Sequence, residues 1–316
     1  MNLNIFGQAT WLAGWLAVCT TSCTLAVATE AKAQAISPVF SHGADYKFER
    51  MRAVRTVRDA FDQGPITLVA YVYRPLKLDR HEVVLYSHGS TAGYAVSPKE
   101  PRAPERSVIQ FFTSRGYTIV APMRRGVSES SGTYREECPV QSGGCTLAEN
   151  TALFDSGLQE AVLDSSAVID QVIVGNLVPP DAKILLSGVS RGGFLSLVLA
   201  GERPDVVKGV VNFVGGWFSS SEQSRTELKV KRLELQQRRL ASAAAKARAE
   251  TLWIYADRDP FYNETMNREL FRAFKDAGGK GEYFFVRSHS LASGHEVAGD
   301  RTLWESEVEG FLKRLP

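Results

Sequence analysis

The sequence predicts an α/β protein: a mostly parallel central sheet that begins with an antiparallel hairpin and carries helices on both faces. Three observations support this. Short apolar runs of strand length alternate with longer runs of helical period from about residue 83 to residue 315. Strands separated by helices need crossover connections, which make the strands parallel and cover both faces of the sheet. The chain has 316 residues, 44% hydrophobic and 23% charged, which is enough apolar material for one large core. Finally, the run Gly188-Val189-Ser190-Arg191-Gly192 passes from an apolar strand into an apolar helix with no loop between them.

Residues 1–35 differ from the rest. The stretch 5–28 is apolar, with Trp11, Leu12, Trp15 and Leu16, and Ala33-Gln34-Ala35 gives a small-residue cleavage pattern before Ile36. This reads as an export signal, leaving one domain over 36–316 in the periplasm or outside the cell. No Lys or Arg precedes the apolar core, so an uncleaved membrane anchor is the alternative, and membrane contact is expected only if the segment is retained.

The elements follow in order. Residues 36–50 read as an irregular arm. Strands are expected over 52–59 and 66–74, joined by a turn at Asp62-Gln63-Gly64-Pro65. A buried strand over 83–87 precedes a helix over 107–115, with Val108, Phe111 and Phe112 on one side and Gly116 as its stop. A strand over 117–121 leads to a long loop reaching about Glu149, then to a helix over 151–174 with Leu158, Ala161, Val162, Val168 and Val172 at helical spacing. The strand at 183–187 and the helix at 192–200 flank Ser190. Further strands are expected at 207–214, 251–256 and 282–286, and a closing helix at 304–315. The polar segment 222–250 places Leu228 with Leu235, and Leu233 with Leu240, along one stripe of a helix. It reads as a solvated crossover between strands, or else as a lid.

The pattern G-x-S-x-G between a strand and a helix is a nucleophile elbow. The turn is tight enough to strain the serine backbone, and side chains at Gly188 or Gly192 would collide. A serine hydroxyl is a weak nucleophile at neutral pH, so a base must take its proton and an acid must orient that base. In a sheet of this kind the expected chain order is Ser, then Asp or Glu, then His. The acid belongs after the second strand beyond the elbow strand, where Asp257-Arg258-Asp259-Pro260 lies; Asp259 is preferred and Asp257 is the alternative. The base belongs after the last strand, where Gly294-His295 is preferred and His289 is the alternative. For the oxyanion, one donor is expected from the N–H of Arg191 at a helix N-terminus, and a second from the N–H of Ser90 in the His88-Gly89-Ser90 loop. His88 reads as a structural residue beneath that loop.

Other patterns limit the alternatives. A net charge of +2 gives no footprint for nucleic acid. His42, His81, His88, His289 and His295 show no metal-binding spacing, and no metal or organic cofactor is expected. Cys138 and Cys145 flank a Gly-rich loop and, in an exported protein, read as a disulfide.

With these residues in hand, the chain resembles the α/β-hydrolase superfamily over about residues 60–315. Within it, the chain is similar to exported members of the dienelactone hydrolase and prolyl oligopeptidase-like group. The carriers are His88-Gly89, Gly188–Gly192, the Asp257/Asp259 loop, Gly294-His295, and the Arg124-Arg125-Gly126 loop with Ser128 and Gly132. Dienelactone hydrolases use a cysteine nucleophile where this chain has Ser190, and prolyl oligopeptidases carry a propeller domain for which this chain has no matching segment. The resemblance implies the α/β-hydrolase fold and hydrolysis through an acyl-enzyme without a cofactor. A serine hydrolase acting on small carboxylic esters is the leading expectation. A peptidase of the aminopeptidase kind acting on short peptides is the alternative. A non-catalytic binding protein on the same fold is the third reading.

Overall fold

The computed structural model describes residues 43, 45–59, 61–77, 80–90, 101–136, 146–217, 226–287 and 290–316. The export signal, Cys138, Cys145 and His289 lie outside these residues.

Eight strands form one sheet in the order β1-β2-β4-β3-β5-β6-β7-β8. β1 (Tyr46–Arg58) and β2 (Gln63–Pro75) make the expected antiparallel hairpin, but both are longer than the sequence suggested. Residues 46–50, expected in an irregular arm, are extended and pair with 71–75. The turn also differs: Asp59 Oδ1 accepts the N–H groups of Phe61 and Asp62, both at 2.8 Å, and Gln63-Gly64-Pro65 already belongs to β2. β2 pairs antiparallel with β4 (Tyr117–Pro122). From β4 onward the sheet is parallel through β3 (Glu82–Ser87), β5 (Ile184–Val189), β6 (Val207–Phe213), β7 (Glu250–Ala256) and β8 (Lys280–Val286). The runs in β3, β4 and β5 read as continuous apolar stretches because both faces are covered.

The helices are α1 (Arg106–Thr113), α2 (Leu147–Val174), α3 (Arg191–Glu202), α4 (Thr226–Ala244), α5 (Glu264–Asp276) and α6 (Glu305–Arg314). α2 begins four residues before the expected start. Thr146 and Glu149 form a reciprocal capping box there, a signal that lies inside the stretch read as loop. α5 was not anticipated at all, although Met266, Leu270 and Phe274 recur at four-residue spacing and Asn263 caps it. α4 falls within 222–250. It packs against α3 and α5, burying Leu235 and Leu240, and Gln236 accepts the Trp217 N–H at 2.6 Å. No helix among the described residues is long and apolar enough to cross a membrane.

The winding of the chain positions the site. The crossover from β3 leads outward to β4, whereas β5 lies on the other side of β3 and leads to β6. Right-handed crossovers running in opposite directions put α1 and α3 on opposite faces. The loops leaving β3 and β5 therefore part from each other at adjacent carboxyl ends, which opens a crevice there. On α1's face, Trp304 meets Phe111 and Phe213, each with ring centroids 5.1 Å apart. Phe154, Phe194 and Trp217 form a second aromatic cluster joining α2 to α3.

Candidate active site

Ser190 sits between β5 and α3 with φ 54° and ψ −121°, a left-handed backbone for a residue that is not glycine. Such a conformation costs about 1–3 kcal/mol and survives only where its surroundings fix it. Here the Ser190 N–H donates to Phe213 O at 2.9 Å, and Ser190 O accepts the N–H groups of Phe194 and Gly216, each at 3.1 Å. The flanking glycines are sterically required. A Cβ on Gly192 would overlap the Ser87 carbonyl oxygen, and one on Gly188 would lie 2.5 Å from the Gly192 carbonyl carbon.

The loop after β7 carries Asp259. Its Oδ1 accepts the N–H groups of Phe261 at 2.8 Å and Tyr262 at 3.1 Å, and its Oδ2 lies 3.0 Å from His295 Nδ1. The Asp259 side chain is fully buried. A carboxylate only accepts, so Nδ1 of His295 carries the proton and donates it, and in the neutral ring Nε2 is then the acceptor. The imidazole is wedged by the rings of Phe261, at 4.5 Å, and Tyr262, at 5.7 Å between centroids. Ser293 caps the short 3-10 turn Gly294–Gly299 by accepting the His295 N–H at 3.2 Å. A Cβ on Gly294 would overlap the Asp257 carbonyl oxygen, so this glycine serves close approach of the two loops. Of the two candidate acids, Asp259 is the one bonded to the imidazole. The Asp257 carboxylate is 3.9 Å from Arg258 Nε.

Ser190, His295 and Ser90 line one cavity of about 600 Å³ at the carboxyl ends of the strands, together with Glu105, Phe261 and Tyr262. Arg191 opens α3, and the first N–H groups of a helix have no carbonyl partner within the helix. His88 is 2% exposed. Burial and the neighbouring Arg124 guanidinium hold its imidazole well below the ordinary histidine range, so it is neutral. No group of side chains able to hold a metal ion occurs among the described residues.

Several residues of this cavity are not among the sequence candidates. Glu105 accepts the Tyr86 hydroxyl, and burial pushes its carboxyl above the usual range. Arg102, Phe261 and Tyr262 also face the cavity. Only Phe261 and Tyr262 had a signal, since they lie two and three residues after Asp259. Glu105 and Arg102 sit in a polar stretch before α1 with no local pattern.

No protein-family model matches the sequence, and no curated protein is found similar to it. Solved structures do match. An esterase of Pyrococcus furiosus superposes with a TM-score of 0.57 at 14% identity, over 85% of this chain and 91% of that one. The chain has the α/β-hydrolase fold. An acylaminoacyl peptidase of Pyrococcus horikoshii gives 0.56 at 14% identity, over 87% of this chain and 42% of that one. A puromycin-hydrolyzing peptidase of Mycobacterium tuberculosis gives 0.54 at 18% identity, over 83% of this chain and 40% of that one. The chain thus spans less than half the length of these two peptidases.

Proposed function

We propose that this protein is a serine hydrolase cleaving carboxylic esters through an acyl-enzyme. The observation that carries the proposal is the 3.0 Å bond from His295 Nδ1 to the buried Asp259 carboxylate, beside a cavity that also exposes the strained Ser190. Ser190 Oγ attacks the ester carbonyl while His295 Nε2 takes its proton. The Asp259 carboxylate stabilises the imidazolium that forms. The N–H groups of Arg191 and Ser90 receive the negative charge on the carbonyl oxygen. The C–O bond then breaks as His295 returns the proton to the leaving alcohol. Water, activated by the same imidazole, attacks the acyl group and restores Ser190.

The fold likeness to acylaminoacyl and puromycin-hydrolyzing peptidases supports amide cleavage by the same groups as a second reading. One experiment addresses both. Purified protein should hydrolyse p-nitrophenyl acetate and butyrate faster than aminoacyl p-nitroanilides, and Ser190→Ala should lose at least about 10³-fold in kcat. Full turnover by the Ser190→Ala variant would refute the serine mechanism. Faster cleavage of the anilides would favour the peptidase.

A further inference from the structure

We propose that Arg124 is a positioning residue that aims the Ser90 N–H at the oxyanion. The inference rests on the serine hydrolase reading above and adds to it the part that fixes one oxyanion donor.

Arg124 lies two residues beyond β4 and is 3% exposed. A guanidinium offers five donors in a rigid planar fork. Here Nη1 donates to His88 O at 2.7 Å, and Nη2 donates to Gly89 O at 2.9 Å. The other edge of the fork is engaged by Glu136: Nε donates to Oε1, and Nη2 to Oε2 at 3.0 Å. The backbone N–H of Arg124 donates to His88 Nε2 at 3.4 Å. His88 is neutral, so its proton is on Nδ1, which donates to Gly89 O at 2.9 Å.

The Gly89 carbonyl thus receives two side-chain donors, one from Arg124 and one from His88. That carbonyl belongs to the peptide unit whose N–H is that of Ser90. In a planar trans peptide the two groups point in opposite directions, so clamping the oxygen fixes the line of the N–H. The loop runs against the elbow, since a Cβ built on Gly89 would lie 3.5 Å from Ser190 Cβ. Glu136 extends the clamp to the other donor residue. Arg191 Nη1 donates to Glu136 O at 3.1 Å and is 3.5 Å from its Oε2. Glu136 therefore holds the Arg124 fork through its carboxylate and the side chain of the residue following the nucleophile through its main-chain oxygen.

A purely structural role does not demand this arrangement, because buried ion pairs can often be replaced by apolar residues at little cost in stability. An apolar side chain cannot hold a carbonyl oxygen. A donor that is misaimed is lost to the transition state but not to the bound substrate, so kcat should fall and KM should not.

The test uses Arg124→Met with p-nitrophenyl butyrate and a trifluoromethyl ketone, which adds reversibly to the serine oxygen and places an oxyanion in the site. We expect kcat to fall about 100-fold with KM unchanged within about twofold. The inhibition constant of the ketone should rise by the factor by which kcat/KM falls. Active-site titration with a fluorophosphonate counts competent molecules, so partial unfolding would lower that count without changing the inhibition constant. Ser90→Pro removes the N–H outright. Adding Arg124→Met to it should cost no more than about twofold further, because both changes act on the same donor. If Arg124→Met does not fold, Arg124→Lys keeps the charge without the fork and should lose about tenfold in kcat.

Wild-type kcat and ketone affinity in either Arg124 variant, or additive losses in the double variant, would overturn the proposal. Those outcomes leave wild-type protein titrating at Ser190. A wild-type protein that fails to titrate, or a Ser190→Ala variant that turns over normally, would instead overturn the serine mechanism itself.

Discussion

At the residue scale, catalysis depends on one proton being on Nδ1 of His295. Asp259 holds it there by accepting from Nδ1, having already accepted two backbone N–H groups on its other oxygen. An amide in its place can present its NH2 group to Nδ1 and favour the wrong tautomer. Asp259→Asn should therefore lower kcat by about 10³–10⁴-fold. Asp257→Asn should leave kcat within about threefold, since Asp259 keeps the imidazole bond. Steady-state kinetics of the two variants on one ester checks this, and a larger loss at Asp257 would reverse the assignment. Both aspartates satisfy the chain order, and residue type cannot separate them. What separates them is the turn that directs Asp259 inward, made by its own bonds to Phe261 and Tyr262.

At the element scale, the β1–β2 hairpin is fastened to α2 by ionic contacts that the sequence did not suggest. Arg125 is nearly buried and meets Asp59 at 2.8 Å, Asp62 at 3.2 Å, Glu160 at 2.5 Å and Asp164 at 3.1 Å. Arg55 of β1 reaches Asp164 as well, at 2.5 Å. Burial pushes the Asp164 carboxyl upward while both guanidiniums pull it down. Removing this shared acid leaves two arginines short of a counter-charge. Asp164→Ala should destabilise the fold by about 3 kcal/mol, read from urea unfolding at pH 7.5. A change under about 1 kcal/mol would mean that the remaining acids suffice. These partners are 35 to 109 residues apart in the chain, and no periodicity links them. Strand and helix alternation was legible because it is local. The early start of α2 is local too: the Thr146–Glu149 capping box is a sequence pattern, masked by the polar composition around it.

At the scale of the whole molecule, one buried histidine couples the site to the stability of the fold. His88 is held neutral when folded, with its pKa below the unfolded value of about 6.5. Below that pH the unfolded chain binds a proton that the folded chain refuses, so stability falls as the pH drops. Above it, neither state is protonated and the effect vanishes. Wild-type protein should lose up to about 1.4 kcal/mol per pH unit below pH 6.5 relative to His88→Asn, by urea unfolding at several pH values. Parallel pH profiles for the two proteins would show that His88 is protonated in the folded state. The sequence placed His88 beneath the oxyanion loop. It did not reveal Arg124 and Glu136 as that loop's partners, because both follow β4 and reach the loop after β3 only once those two strands are paired. The nucleophile elbow was the most legible part of the site, since strand, turn and helix are contiguous there. The cavity walls were the least legible, since Arg102 and Glu105 reach them from a polar loop.

Covalent acylation of Ser190 is what every step above requires. Peptide mapping by mass spectrometry after a fluorophosphonate reaction reads it out. One phosphonyl group per chain on the peptide containing Ser190, and none in a His295→Ala variant over the same time, is the expected result. Ester hydrolysis by a protein that takes no label, or takes it at another residue, would rule out Ser190 as the nucleophile.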